Sequence, residues 1–183
     1  CTVMLKRKII NKLVEWKNGC SNKALLIKGA RQVGKTTIIR QFAQANYENF
    51  IEINFEQMPT AKQAFDGNLD ARTILINLSA MGFGPLVPGK TLIFFDEIQS
   101  CPKARTAIKF LVEDGQYDYI ESGSLLGINY KEVSSFPVGF EHELEMYPLD
   151  FEEFLWACNI SEDVISMLKD CYEQLRPIPD FLH

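Results

Sequence analysis

Leu5, Ile9, Leu13 and Trp16 recur at helical spacing, and Asn18 and Gly19 supply a stop, so the chain should begin with an amphipathic helix. Ala24 to Lys28 reads as a short buried strand running into a Gly-rich turn, with Thr36 to Ala45 as the helix that follows. Phe50 to Phe55 alternates as a second strand, and Asp70 is placed to cap a helix through Ile74, Leu75 and Leu78. Gly82, Gly84, Pro85, Pro88 and Gly89 mark a loop. Thr91 to Phe95 is apolar on both faces, as a central parallel strand should be, and ends at Asp96. Pro102 then opens a helix with Ile108, Leu111 and Val112 on one side, and Gly115 lies just past its end.

Tyr117 to Ile120 reads as another strand, closing on Ser122, Gly123 and Ser124, and one more strand is expected within Phe140 to Tyr147. Asp150 and Glu153 form a capping-box pattern, flanked by Leu149 and Phe154 as a hydrophobic staple, so a helix should start at Phe151. Val164, Leu168, Cys171, Tyr172 and Leu175 give a last helix before Pro177. Strands alternating with helices predict an α/β fold with a mostly parallel central sheet flanked by helices.

Composition narrows the picture. With 183 residues, 46% hydrophobic and 23% charged, the chain is an ordinary globular one, which excludes disorder, collagen and coiled coil. Its length suits one domain with at most the start of a second. The cysteines (Cys1, Cys20, Cys101, Cys158, Cys171) form no CxxC pair, and the only histidines are His142 and His183. That argues against a zinc site or a disulfide framework and fits a reducing, cytoplasmic setting. No apolar run approaches the roughly 20 residues of a membrane span, and no signal-peptide core follows the first basic residues. The chain opens at Cys1 and stops at His183 soon after Pro177 and Pro179, and so reads as a fragment.

The net charge of −5 hides an asymmetry: residues 1–40 carry ten Lys/Arg against Glu15, while the remainder carries nine against 23 acids. A basic end can face a polyanion, but the acidic remainder argues against a broad nucleic-acid groove. His142, between Glu141 and Glu143, reads as a strand surface residue rather than a ligand, and Phe151, Phe154, Leu155 and Trp156 resemble a partner-binding stripe, with core as the plainer reading.

The chemistry begins at Gly29-Ala30-Arg31-Gln32-Val33-Gly34-Lys35-Thr36, which fits the phosphate-binding pattern GxxxxGKS/T and is followed by Thr37. Gly29 allows a sharp turn after the strand, and Gly34 a close approach of backbone to phosphate. The amides of Val33 to Thr37 then face the anion from a helix N-terminus. Lys35 can reach the β- and γ-phosphates, and the Thr36 hydroxyl can bind Mg²⁺. The apolar strand before Asp96 and Glu97 delivers adjacent acids to its C-terminal end, where ligands sit in open α/β sheets. Asp96 is placed to hold Mg²⁺, and Glu97 to orient or deprotonate an attacking water. A kinase has less need of that second acid, and a GTPase would show Asn-Lys-x-Asp, which is absent, so ATP hydrolysis is favoured over transfer.

With both motifs in view, the chain resembles the AAA+ branch of P-loop ATPases, and more narrowly the prokaryotic AAA-domain ATPases whose C-terminal half is a domain of unknown function. The resemblance rests on residues 29–37, on Phe95-Asp96-Glu97-Ile98-Gln99, on residues 121–127, on Ser135-Phe136-Pro137-Val138-Gly139 and on residues 147–157. It implies a P-loop ATPase domain over residues 1–157, the beginning of a truncated helical lid over 158–183, and ATP with Mg²⁺. It further implies a polar residue after the next strand, Ser122 or Ser124, that touches the γ-phosphate or the lytic water, with Arg7 and Ile9 near the adenine. Relatives of this kind continue well beyond such a segment, so a C-terminal effector module is expected as a partner. Homo-oligomerisation and DNA stay open, the latter unsupported by the charge of this segment, and no membrane is involved.

The leading expectation is an ATPase that couples hydrolysis to conformational change in that module or a neighbouring subunit. The alternative is a nucleotide-gated switch with negligible hydrolysis. No arginine finger stands out. Arg105, on the helix after the acid pair, is a candidate, with a solvated surface arginine as the plainer reading.

Overall fold

The computed structural model describes residues 7–19, 22–124 and 139–174. They fall into two compact units, Ile9–Tyr147 and a smaller one made of Cys1–Lys8 with Pro148–His183. Leu5, Cys1, Cys20, Leu175 and Pro177, and residues 125–127 and 135–138 of the motifs that carry the family resemblance, lie outside the described residues. No helix among those described is long and apolar enough to cross a membrane.

The larger unit runs α1 (Ile9–Gly19), β1 (Ala24–Lys28), α2 (Lys35–Asn46), β2 (Asn49–Asn54), a 3-10 helix (Pro59–Phe65), α3 (Ala71–Ala80), β3 (Thr91–Asp96), a 3-10 turn (Ile98–Ser100), α4 (Pro102–Asp114), β4 (Asp118–Gly123) and β5 (Glu141–Glu145). The strands form one sheet in the order β2-β3-β4-β1-β5, with every pairing parallel. This is the expected α/β architecture. Parallel neighbours need crossovers, and the crossover helices cover both faces, which is why all six residues of β3 are buried.

Alternate residues of β1 to β4 feed two cores. Ile53, Phe55, Ile93, Phe95 and Tyr119 pack against α3 and α4, while Leu25, Ile27, Leu92, Phe94 and Ile120 pack against α1 and α2. In the first core Phe55, Phe95 and Tyr119 stack across three chain segments, with ring centroids 5.7 and 6.3 Å apart. Such aromatic pairs add about 0.5–1.5 kcal/mol each beyond burial. Asp70 caps α3 as expected, accepting the Thr73 N–H at 3.0 Å, and Gly115 ends α4 at φ 70°.

Two features depart from the sequence expectation. The 3-10 helix at Pro59–Phe65 buries Ala61, Ala64 and Phe65, and seven residues are too short for a periodic signal. β4 also extends to Gly123, which takes Glu121 and Ser122 into the strand.

In the smaller unit, α5 (Phe151–Ala157) and α6 (Glu162–Glu173) start at caps where Asp150 accepts from Glu153 N and Ser161 from Val164 N. Glu153 also forms a buried ion pair with Arg7, and Lys8 bridges Asp150 at 2.6 Å and Glu152 at 2.7 Å. Phe151 and Phe154 are 71% and 52% exposed, so they are not the core residues their apolar character suggested. Ile165 and Cys171 form the buried stripe of α6, and Tyr172 is exposed.

Candidate functional site

Strand order builds the site. Because β4 lies between β1 and β3, the C-terminal ends of all three stand side by side, with Lys28 opposite Gly123 and Phe95 opposite Glu121. On the far side of β3, Asn54 ends β2 directly opposite Asp96. The loop from Gly29 to Gly34 leaves β1 at this edge and enters α2.

The two glycines of this loop act differently. Gly34 precedes α2 at φ 91°, a left-handed conformation that a side chain would oppose. Gly29 is required for space: a Cβ there would stand 2.5 Å from the Met146 carbonyl oxygen. Met146 is drawn in because its N–H donates to the Lys28 carbonyl at 2.7 Å, continuing the β5 pairing. Gln32 also sits in the left-handed region, at φ 64°.

Lys35 is buried, and its ammonium donates to the carbonyls of Gly29 (3.0 Å) and Ala30 (2.7 Å). Burial pushes this lysine below its ordinary value, against the opposing pull of Glu97 and Asp96. The Thr36 hydroxyl donates to Asp96 Oδ2 at 2.8 Å, and Ser122 donates to Asp96 Oδ1. Glu97 N–H reaches the same Oδ1 at 3.0 Å, and the Asn54 amide approaches Oδ2 at 3.4 Å. Asp96 thus gathers donors from three other segments and from the backbone of its own neighbour. Ser124 is buried one residue beyond β4, and Arg31 is exposed and paired with Glu56 at 3.0 Å.

A cavity of about 320 Å³ opens over this edge, lined by Arg31, Gln32, Gly34, Lys35, Thr36, Thr37 and Glu97. All but Glu97 come from one loop and the first turn of α2. Val33 packs against Gly29, its Cγ2 being 3.3 Å from where a Cβ would lie. Among the described residues no group of three or more His, Cys, Asp or Glu is placed to cage a metal. The oxygen pair of Thr36 and Asp96 is a different kind of donor set. It fits magnesium, which takes one or two protein oxygens and keeps water or phosphate for the rest.

The comparisons with known proteins bear on this geometry. A family model described as AAA domain matches residues 21–155. The chain belongs to the AAA domain family. An uncharacterized protein of Methanocaldococcus jannaschii is 30% identical over 151 residues, which is 82% of this chain. The chain spans about a third (32%) of that relative's length. Among solved structures, the AAA domain is similar to C. elegans PCH-2, at 15% identity and TM-score 0.42 over 96% of this chain and 47% of that one. It is also similar to a Thermotoga maritima RuvB variant, at 17% identity and TM-score 0.49 over 90% of this chain and 52% of that one.

His142 is exposed on β5, as expected. Arg105 is not a solvated surface arginine: it is 4% exposed on α4, with its guanidinium 3.3 Å from Glu141 of β5, and it is not among the residues that line the cavity. Three participants carried no expectation. Asn54 could have been found from the register of β2, since a polar residue closing a strand beside Asp96 must stand at the same edge. Gln99, whose amide donates to Glu97 Oε2, lies within a quoted motif without an assigned role. Glu121 is fully buried, and nothing local distinguishes it from an exposed acid.

Proposed function

We propose that this AAA domain binds ATP with Mg²⁺, hydrolyses it, and couples the reaction to conformational change in a C-terminal module or a partner subunit. The observation that carries the reading is the 2.8 Å contact of Thr36 with Asp96, made at the rim of a cavity that Lys35 and Glu97 both line. Backbone N–H groups from Val33 to Thr37 would hold the phosphate oxygens at the start of α2, where the helix dipole favours negative charge. Lys35 would exchange its two carbonyl partners for β- and γ-phosphate oxygens, a charge-assisted pairing stronger than the bonds it gives up.

Thr36 and Asp96 would hold Mg²⁺, which when bound neutralises charge developing on the phosphates. Ser122, bonded to Asp96, lies between that pair and β1, and it suits contact with the γ-phosphate or lytic water better than Ser124 does. Glu97 would accept a proton from the attacking water as its oxygen bonds to the γ-phosphorus. The bond from that phosphorus to the β–γ bridging oxygen breaks, leaving ADP and phosphate.

Two variants of the full-length protein test this. Lys35→Ala should lose most affinity for fluorescent ATP, on the order of 100-fold, because it removes the cation facing the phosphates. Equal affinity in mutant and parent would defeat the reading. Glu97→Gln should bind ATP as the parent does while phosphate release falls about 100-fold or more. Turnover at the parent rate would remove Glu97 as the base.

A further inference from the structure

We propose that Gln99 is a positioning residue that aims the Glu97 carboxylate at the cavity, and that Gly123 makes room for it. The inference rests on the reading of Glu97 as the base. Glu97 occupies the left-handed region at φ 55° and ψ 49°, and the 3-10 turn Ile98–Ser100 then curls back. That curl brings Gln99 Nε2 onto Glu97 Oε2. A carboxylate facing an amide can only accept, so the amide must present its N–H and turn its oxygen away.

The far side of Gln99 meets the end of β4. Its Oε1 is buried without a hydrogen-bond partner, and a Cβ on Gly123 would stand 2.8 Å from it and 3.3 Å from Ile98 Cγ2. A buried acceptor without a donor is unfavourable, so this orientation of the amide persists because its other end holds Glu97. Any side chain at 123 would take the place of Oε1. Gly123 also follows Ser122, whose hydroxyl is on Asp96. The end of β4 therefore touches both acids, Asp96 through a serine hydroxyl and Glu97 through Gln99.

This fixes what a general base needs. A glutamate side chain has three rotatable bonds, and proton abstraction requires one oxygen held within hydrogen-bond reach of the water. The Gln99 amide restrains Oε2 and leaves Oε1 of Glu97 to accept. An amide does not titrate, so it holds the carboxylate without competing for the proton.

The experiment measures steady-state phosphate release and fluorescent-ATP affinity of the full-length protein, with thermal melts to verify folding. Gln99→Ala should lower kcat about tenfold or more while KM and affinity for ATP stay within about twofold, a loss smaller than that of removing the base itself. Gly123→Ala should do the same by displacing Oε1, and the double variant should be no worse than the poorer single one. If Gln99→Ala fails to fold, Gln99→Met, of similar length without a donor, takes its place.

Parental kcat in the Gln99 and Gly123 variants, additive losses, or a loss confined to ATP affinity would overturn the proposal. Glu97→Gln separates the two levels. If it is inactive while Gln99→Ala is parental, only the role of Gln99 falls; if it turns over normally, the base assignment falls and takes Gln99 with it.

Discussion

Asp96 on β3 and Glu121 on β4 are buried acids near the C-terminal ends of neighbouring parallel strands, 3% and 0% exposed, in opposite surroundings. Asp96 accepts from Thr36, Ser122, Asn54 and the Glu97 N–H. Glu121 lies on the sheet face covered by α4, where its charged neighbours are Glu141 and Glu143 of β5 and Arg105 of α4. Donors converging on a carboxylate stabilise negative charge, whereas a second carboxylate favours keeping a proton. Burial alone therefore does not mark a working acid. The decisive feature is what the neighbouring strands and helices bring to it.

Replacing each acid by its amide should sharpen the contrast. The largest effect is expected for Asp96→Asn, which keeps the shape but replaces one acceptor oxygen with a donor facing other donors. Phosphate release by the full-length protein should fall about 100-fold or more, and the magnesium concentration needed for half-maximal rate should rise, as expected when a metal's carboxylate is lost. The melting temperature should fall as well, because Asp96 is 3% exposed and an amide there would face buried donors that it cannot pair with. A variant that hydrolyses ATP at the parent rate with unchanged magnesium dependence would erase the distinction between the two acids.

The same contrast explains what could be read in advance. Asp96 and Glu97 were legible because an apolar strand delivering acids to its end is a local pattern, and the Gly29–Thr36 loop was legible because its spacing is. The strands and their parallel arrangement followed from alternation and from the apolar run of β3. Glu121 was not legible as buried, since Asp118, Glu121 and Ser122 look alike on a strand until the neighbours of each are known. The plainer reading of Arg105 as a surface arginine failed for the same reason: on α4 it follows Ala104 and precedes Thr106, and its pairing with Glu141 lies 36 residues later. Asn54 and Gln99 needed the register and the turn. Partners that come from another element leave no mark in a window of one.

A second test targets the cluster around Glu121. Arg105→Met keeps the length of the side chain and removes its charge, leaving Glu121 and Glu141 buried without the cation between α4 and β5. Breaking one side of a buried ion pair costs about 3–5 kcal/mol. In a domain of this size that corresponds to a melting temperature lower by roughly 10 °C. Below the transition, kcat should match the parent, because Arg105 pairs with Glu141 and is not among the residues that line the cavity. The opposite pattern, a 1000-fold loss of kcat without a change in melting, would make Arg105 a finger after all.

Glu121→Gln should produce the smallest effect and the one with a defined sign. Burial, and then the charge of Glu141 and a hydrogen bond to it, hold the Glu121 proton well above the ordinary glutamate value of 4.5, against a weaker pull from Arg105. Above that value the unfolded chain releases the proton while the folded chain keeps it. The folded state then binds more protons, so stability contributed by the protonated group declines as pH climbs from the ordinary glutamate value toward the raised folded one. An amide at this position cannot ionise in either state and removes that slope. The variant should therefore melt about 2–4 °C above the parent at pH 8, the change that roughly 1 kcal/mol makes in such a domain. The gain should shrink toward zero near pH 5, with ATP turnover unchanged throughout. Equal melting curves for both proteins from pH 5 to pH 8 would mean that Glu121 is ionised in the folded chain.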